Sequence, residues 1–199
     1  ILDKDEHPRM GLELADLKKL KTVFKENGTV TPGNSSGIND GAAALLLTTL
    51  EEAEKKSIKP LAKIVSWASV GIDPALMGLG PIESVREAIK KAKWNLNEID
   101  LFEINEAFAA QVLCVLKGLE DEKIAKAYGL EKAWGRIPYE KLNVNGGGIA
   151  LGHPVGSSGS RIVVTLSHEL KRRKGRYGLA SLCVGGGQGG ALLIENLRL

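Results

Sequence analysis

The sequence lacks most of the features that commit a chain to an unusual environment. Its formal net charge is only +3, from 27 basic and 24 acidic side chains. That gives no reason to expect nucleic acid, although it leaves an anionic small molecule admissible. There are two cysteines, Cys114 and Cys183, each in an apolar setting. They read as reduced thiols of a reducing compartment, so a cytoplasmic location is expected rather than a disulfide scaffold. Two cysteines and three histidines without close ligand spacing predict no metal site. No apolar run approaches about 18 residues, so no membrane span is expected, and no signal peptide is read. No repeat of solenoid type is present. The chain does not open on Met, and Ile1-Leu-Asp-Lys-Asp-Glu-His-Pro-Arg9 reads as interior linker, so a piece of a longer protein is expected.

What remains is an ordinary globular composition, 43% hydrophobic and 26% charged, with 24 glycines unevenly placed. They crowd into two stretches of the last third. One is Asn143-Val-Asn-Gly-Gly-Gly-Ile-Ala-Leu-Gly-His-Pro-Val-Gly-Ser-Ser-Gly159, and the other is Cys183-Val-Gly-Gly-Gly-Gln-Gly-Gly190. Glycine this dense costs conformational entropy, which suggests backbone in unusual φ/ψ or lying close against something. Each stretch carries one reactive side chain, His153 or Cys183. Imidazole and thiol are the usual means of moving protons and acyl groups near neutral pH.

Periodicity places five strands, at Gly41–Leu47, Leu61–Val70, Ile99–Ile104, Leu179–Val184 and Ala191–Glu195, the last two as a hairpin. An amphipathic helix or a loosely helical stretch is predicted over residues 12–24, and helices after Thr49 as a cap, from Pro81 to Ala92, from the Asn105 turn to Leu116, and from Ser160 to Lys171. Residues 118–141 are charged and read as a surface insertion with one short helix. Strands alternating with helices predict an α/β domain with a mixed sheet covered on both faces.

Gly185–Gly190 matches G-x-G-x-x-G, but neither the helix nor the distal acid of a dinucleotide site follows. A glycine turn beside Cys183 fits better, with N–H groups able to bind a developing oxyanion. Asn105 sits at a strand-to-helix turn, where an N-cap role is the bland alternative. Asn105, His153 and Cys183 all fall where a strand or glycine loop gives way to the next element, the place where α/β sheets put their sites. His7 and His168 have no such setting and read as unremarkable, and Cys114, mid-helix among Val112, Leu113 and Val115, reads as a core residue.

Asp5-Glu-His-Pro-Arg9, Gly28-Thr-Val-Thr-Pro-Gly-Asn-Ser-Ser-Gly-Ile-Asn-Asp-Gly41, Asn105-Glu-Ala-Phe108 and the two glycine stretches, in this order, resemble the thiolase family, in particular its acetyl-CoA acetyltransferases. The resemblance implies a thiolase-like C-terminal domain: a mixed five-stranded sheet with helices on both faces, half of a five-layer αβαβα fold. It divides the chain into 1–38, the end of a CoA-covering region and linker, and 39–199, the C-terminal domain. It implies condensation of two acetyl-CoA to acetoacetyl-CoA and CoA, with CoA thioesters as substrates and no cofactor. Cys183 would be the acid/base. His153 would donate to the thioester oxygen, Asn105 would hold a water beside it, and the Gly185 N–H would serve a second oxyanion site. Arg9, Phe24 and Ser36 would contact CoA, and Met77, Ala107 and Phe108 would line the acyl end.

The departure is the family's acylated cysteine, which nothing in this sequence matches. Cys114 lies within the helix after Asn105-Glu-Ala-Phe108 and cannot stand in. The resemblance therefore implies an N-terminal thiolase half as partner, a homo-oligomer (dimer or tetramer) when complete, and no nucleic acid or membrane partner. The chain alone is expected to be inactive. A longer-chain 3-ketoacyl-CoA thiolase and a non-catalytic CoA-binding or assembly module both stay open.

Overall fold

The computed structural model describes residues 3–127, 129 and 131–198. In chain order its elements are α1 (Leu14–Leu17), α2 (Leu50–Lys55), β1 (Ala62–Gly71), α3 (Gly80–Ala92), β2 (Leu101–Ile104), α4 (Ala109–Glu120), α5 (Glu122–Ala127), α6 (Gly148–Leu151), α7 (Val155–Arg173), β3 (Tyr177–Gly185) and β4 (Gln188–Asn196). The sheet is mixed, in the order β1-β4-β3-β2. β4 pairs antiparallel with both β1 and β3, and β2 pairs parallel with β3.

Adjacent strand residues point to opposite faces, and the two cores follow from this. Phe102, Leu179 and Leu193 face α3 and α4, where Ile82, Val85, Ile89 and Val115 are fully or almost fully buried. Leu101, Ala180 and Ile194 face α7 and its Ile162, Leu166 and Leu170. α3 starts with Pro81 in its first turn and ends on Lys93 in the left-handed region, whose N–H reaches back to Ile89 O and Lys90 O. Thr49 caps α2 as expected, accepting from the Glu52 N–H. Gly80 and Gly189 approach backbone to backbone, closer than any Cβ would allow. This seats the start of α3 on the start of β4, next to the second glycine stretch.

The sheet has four strands, not the five expected. Gly41–Leu47 does not pair, and Leu46 and Leu47 are 86% and 69% exposed. An apolar run reads as a buried strand only if a sheet is present to receive it. The position beside β2 is held differently. Leu142 makes a single parallel bridge with Phe102. The Asn143 side chain then accepts the Ile104 N–H and donates to the Ile104 carbonyl, both at 2.9 Å. A side-chain amide thus replaces one residue of a strand.

The helix expected over 12–24 is also corrected, since only Leu14–Leu17 is helical. Leu14 and Phe24 are 68% and 72% exposed, and a short helix with nothing to bury against is marginal. α7 starts five residues before the expected Ser160. Ser157 and Ser158 bond back to Pro154 O and the helix runs through the glycines. Within residues 118–141 the described residues include the end of α4, the short helix α5 and a 3-10 turn at Tyr139–Lys141, and Leu119 and Ile137 are buried in the core.

Candidate active site at the ends of two parallel strands

β2 and β3 run side by side, with Ile104 opposite Ser181. Their carboxyl ends therefore bring Asn105 level with Leu182, one residue before Cys183. The Asn105 N–H donates to Ser181 O at 3.0 Å. Asn105 Nδ2 lies 3.4 Å from His153 Nε2. Its Oδ1 is buried and has no partner among the described residues. A buried carbonyl in that condition costs roughly 1–3 kcal/mol until a donor reaches it.

His153 is held from three sides. Its N–H donates to Asn39 Oδ1 at 3.0 Å. Its Nδ1 lies 2.7 Å from Ser158 Oγ, which in turn lies 3.1 Å from Pro154 O. Ile38 bridges to His153 from the loop at 35–40. Burial, assisted by the nearby Arg161 cation, holds the His153 pKa below its ordinary value, so the neutral imidazole is favoured. The Arg161 guanidinium itself donates to Gly152 O at 2.7 Å. The neutral ring has one N–H. Ser158 Oγ donates to Pro154 O and so accepts the ring proton at Nδ1, which leaves Nε2 to accept from Asn105 Nδ2.

Cys183 is half-buried, and its thiol donates to Met77 O at 2.9 Å. A bulge follows it. Gly185, Gly186 and Gly187 take φ of +98°, +59° and +86°, a left-handed turn closed by side chain-free residues. The Ile72 N–H donates to Gly187 O at 2.7 Å, which ties this turn to the loop leading to Met77.

Of the six residues expected to bind CoA or line its acyl end, five make contact with one another or with Cys183. The Ser36 N–H donates to Ala107 O at 3.0 Å. Phe24 meets Phe108 edge-on with ring centroids 5.9 Å apart. Two open depressions, of about 490 and 370 Å³, flank Phe24 between residues 21 and 30. Met77 stands with Cys183. Arg9 is exposed, and among the described residues it makes no hydrogen bond or ion pair.

Sequence reasoning passed over several participants. His7 was set aside, yet its Nε2 lies 2.9 Å from Ile149 O and its Nδ1 3.4 Å from Asn39 Nδ2. The signal was there, since Asp5–Arg9 and Gly28–Gly41 were two of the stretches that carried the resemblance. Asn39, Ser158, Asn143 and Glu106 also lie in stretches that carried the resemblance, but their partners are set by the fold. Gln111, buried against Gly78, has neither amide atom partnered among the described residues.

Glu103, two residues before Asn105, is almost fully buried. Burial, then the negative charge of Glu106, push its pKa up from 4.5 to about 8, against the pull of Arg161. The folded state thus favours the neutral acid. The stability this group allows is complete below about 4.5 and falls as pH rises towards about 8. At about 1.4 kcal/mol per pH unit the ceiling is several kcal/mol. Glu103→Gln is expected to raise stability by about 2 kcal/mol at pH 9 and to change little at pH 4. Thermal unfolding of both proteins across that range reads the difference. An equal gain at every pH would mean that packing, not ionisation, is at work.

Comparison with known proteins places this geometry. The description "Thiolase, C-terminal domain" matches residues 58–196 and "Thiolase, N-terminal domain" matches residues 1–51. The acetyl-CoA acetyltransferase of Syntrophomonas wolfei is 50% identical over 197 residues, which cover 99% of this chain and 46% of that protein. The crystal structure of the Bacillus anthracis acetyl-CoA acetyltransferase superposes with a TM-score of 0.86 at 48% identity, covering 98% of this chain and 45% of that one. Human mitochondrial 3-ketoacyl-CoA thiolase superposes with a TM-score of 0.81 at 43% identity, covering 97% and 45%. The chain therefore spans about half the length of the relatives it matches.

Proposed function

The chain belongs to the thiolase family, and we propose that it supplies the proton-transfer and oxyanion-binding groups of an acetyl-CoA acetyltransferase. The observation that carries this reading is the contact of Asn105 Nδ2 with His153 Nε2 at 3.4 Å, formed where β2 ends beside the Cys183 end of β3. Cys183, as thiolate, takes a proton from the methyl of acetyl-CoA. When substrate binds, the Ser158 hydroxyl turns from Pro154 O to donate to Nδ1, the ring takes its Nε2–H form, and the enolate oxygen receives that N–H and a water held at Asn105, whose Oδ1 is otherwise orphaned. The enolate carbon attacks an acetyl group on the cysteine of an N-terminal half, loaded there beforehand from a first acetyl-CoA whose CoA leaves as the thiol. The Gly185 N–H takes the oxyanion of that addition, and Cys183–SH returns its proton to the departing thiolate. The products are acetoacetyl-CoA and CoA, and the sequence runs equally in reverse.

Phe24 and Ser36, with Arg9 at the nucleotide, hold CoA, while Met77, Ala107 and Phe108 close the acyl end. The N-terminal half also covers the apolar surface of residues 38–50, where Ile38 is 98% exposed, together with Val155 at the start of α7. The complete enzyme is a cytoplasmic homo-oligomer in this reading, consistent with two free thiols. Among the described residues no helix is long and apolar enough to cross a membrane.

The test is exchange of deuterium from solvent into the methyl of acetyl-CoA, by this chain combined with an N-terminal thiolase half. Exchange is expected in the absence of net condensation. CoA binding without exchange would make the pair a binding or assembly module instead.

A further inference from the structure

We infer that Glu106 is a positioning residue that sets Asn105 against His153. The inference rests on the reading above, in which that pair forms an oxyanion site. Among the described residues three hydrogen bonds join residues 105–108 to residues 143–153. One is the Asn105–His153 contact itself, the longest at 3.4 Å. Glu106 makes the other two. Its Oε1 accepts from Asn143 Nδ2 at 2.8 Å, and its Oε2 accepts from the Ile149 N–H at 3.2 Å.

Each bond constrains one side of the pair. Asn143 already grips both backbone groups of Ile104, the residue before Asn105. Its bond to Glu106 grips the residue after, so Asn105 is held on both flanks by one amide. Ile149 lies in α6, the single turn that ends at Gly152 and hands the chain to His153. The Glu106–Ile149 bond therefore fixes how far His153 stands from Asn105. Gly147 is glycine for this reason: a Cβ there would overlap the Glu106 carboxyl. Gly147 thus serves close approach to a carboxylate.

The chemistry demands a carboxylate. Both partners are N–H donors, and an ionised carboxylate is the side chain that offers two acceptors and no donor. Glutamine has one acceptor and must turn its NH₂ towards the other donor. Aspartate keeps both acceptors but falls one methylene short.

Glu106→Gln and Glu106→Asp are compared with the parent in the enzyme assembled with its N-terminal half. For Glu106→Gln, kcat for condensation is expected to fall at least about tenfold with KM for acetyl-CoA within about twofold, the mark of an interaction that acts in the transition state. Glu106→Asp is expected to fall between. In the 199-residue chain itself, the His153 ring resonances are expected to move in Glu106→Gln and the Ile149 amide to exchange faster. A Glu106→Gln enzyme with the parent kcat and an unmoved His153 ring overturns the inference. So does a loss of activity that follows only the unfolded fraction in both variants. If the parent assembly proves inactive, the functional reading fails while the His153 resonances still decide whether Glu106 positions that ring.

Discussion

Replacing Cys183 by serine in the assembled enzyme is expected to lower acetoacetyl-CoA formation by roughly 10³-fold while leaving CoA binding within about threefold, in the range that a positioned acid or base contributes. The large loss follows from chemistry and the small one from geometry. Serine keeps the shape, and its hydroxyl can still donate to Met77 O as the thiol does. The left-handed glycine turn that follows depends on backbone alone and is untouched. Asn105 and His153 are held by Ser181, Asn39 and Ser158, none of which involves Sγ. What is lost is a group able to carry a proton near neutral pH, since an alkoxide is far too basic to form there. Deuterium exchange into acetyl-CoA is expected to fall in parallel, because it uses the same proton transfer. Turnover within about threefold of the parent would remove Cys183 from the base role and leave the thiol as a packing group.

The parts of this site legible in the sequence are those where local pattern and tertiary demand agree. α3 was readable because Pro81 opens it and Ile82, Val85 and Ile89 share its buried face. The β3–β4 hairpin was readable because only glycine suits three successive positive-φ positions. Asn105, His153 and Cys183 were readable as candidates because all three fall at the ends of elements. The misreadings share a cause. Residues 41–47 have the composition of a buried strand, and composition carries no information about which sheet receives it. Asn143 does the work of a strand residue with its side chain, which strand periodicity cannot register. Ser157 and Ser158 looked like loop because serine and glycine are poor helix formers, yet tertiary packing of Ile162 and Leu166 carries α7 through them. His7 stands more than a hundred residues from Ile149, and only the folded chain joins them.

The 199-residue chain by itself is expected to transfer no acetyl group between acetyl-CoA molecules, and to gain that activity by at least about 10³-fold when an N-terminal thiolase half is supplied. Covalent catalysis needs a nucleophile activated by a neighbouring base or cation. The chain offers two thiols. Cys114 lies mid-way along α4 and is exposed, not the core residue expected, since it falls on the helix face away from Val112 and Val115, and it is on a different element from Asn105 and His153. Cys114→Ala is therefore expected to leave the activity of the assembled enzyme unchanged. Cys183 cannot hold the acetyl group and take the methyl proton in the same step, because acylation consumes the thiolate that would act as base. In the proposed reaction the two roles therefore fall to two cysteines, and the acylated one is expected from an N-terminal half. The unpaired run at 41–47 and the exposed Ile38 and Leu50 give the incoming half an edge and a surface to join. The same surface should make the isolated chain self-associate, which light scattering against added N-terminal half would detect as a falling mass. Robust turnover by the pure chain, surviving Cys114→Ala but not Cys183→Ser, would overturn this division and make Cys183 the nucleophile.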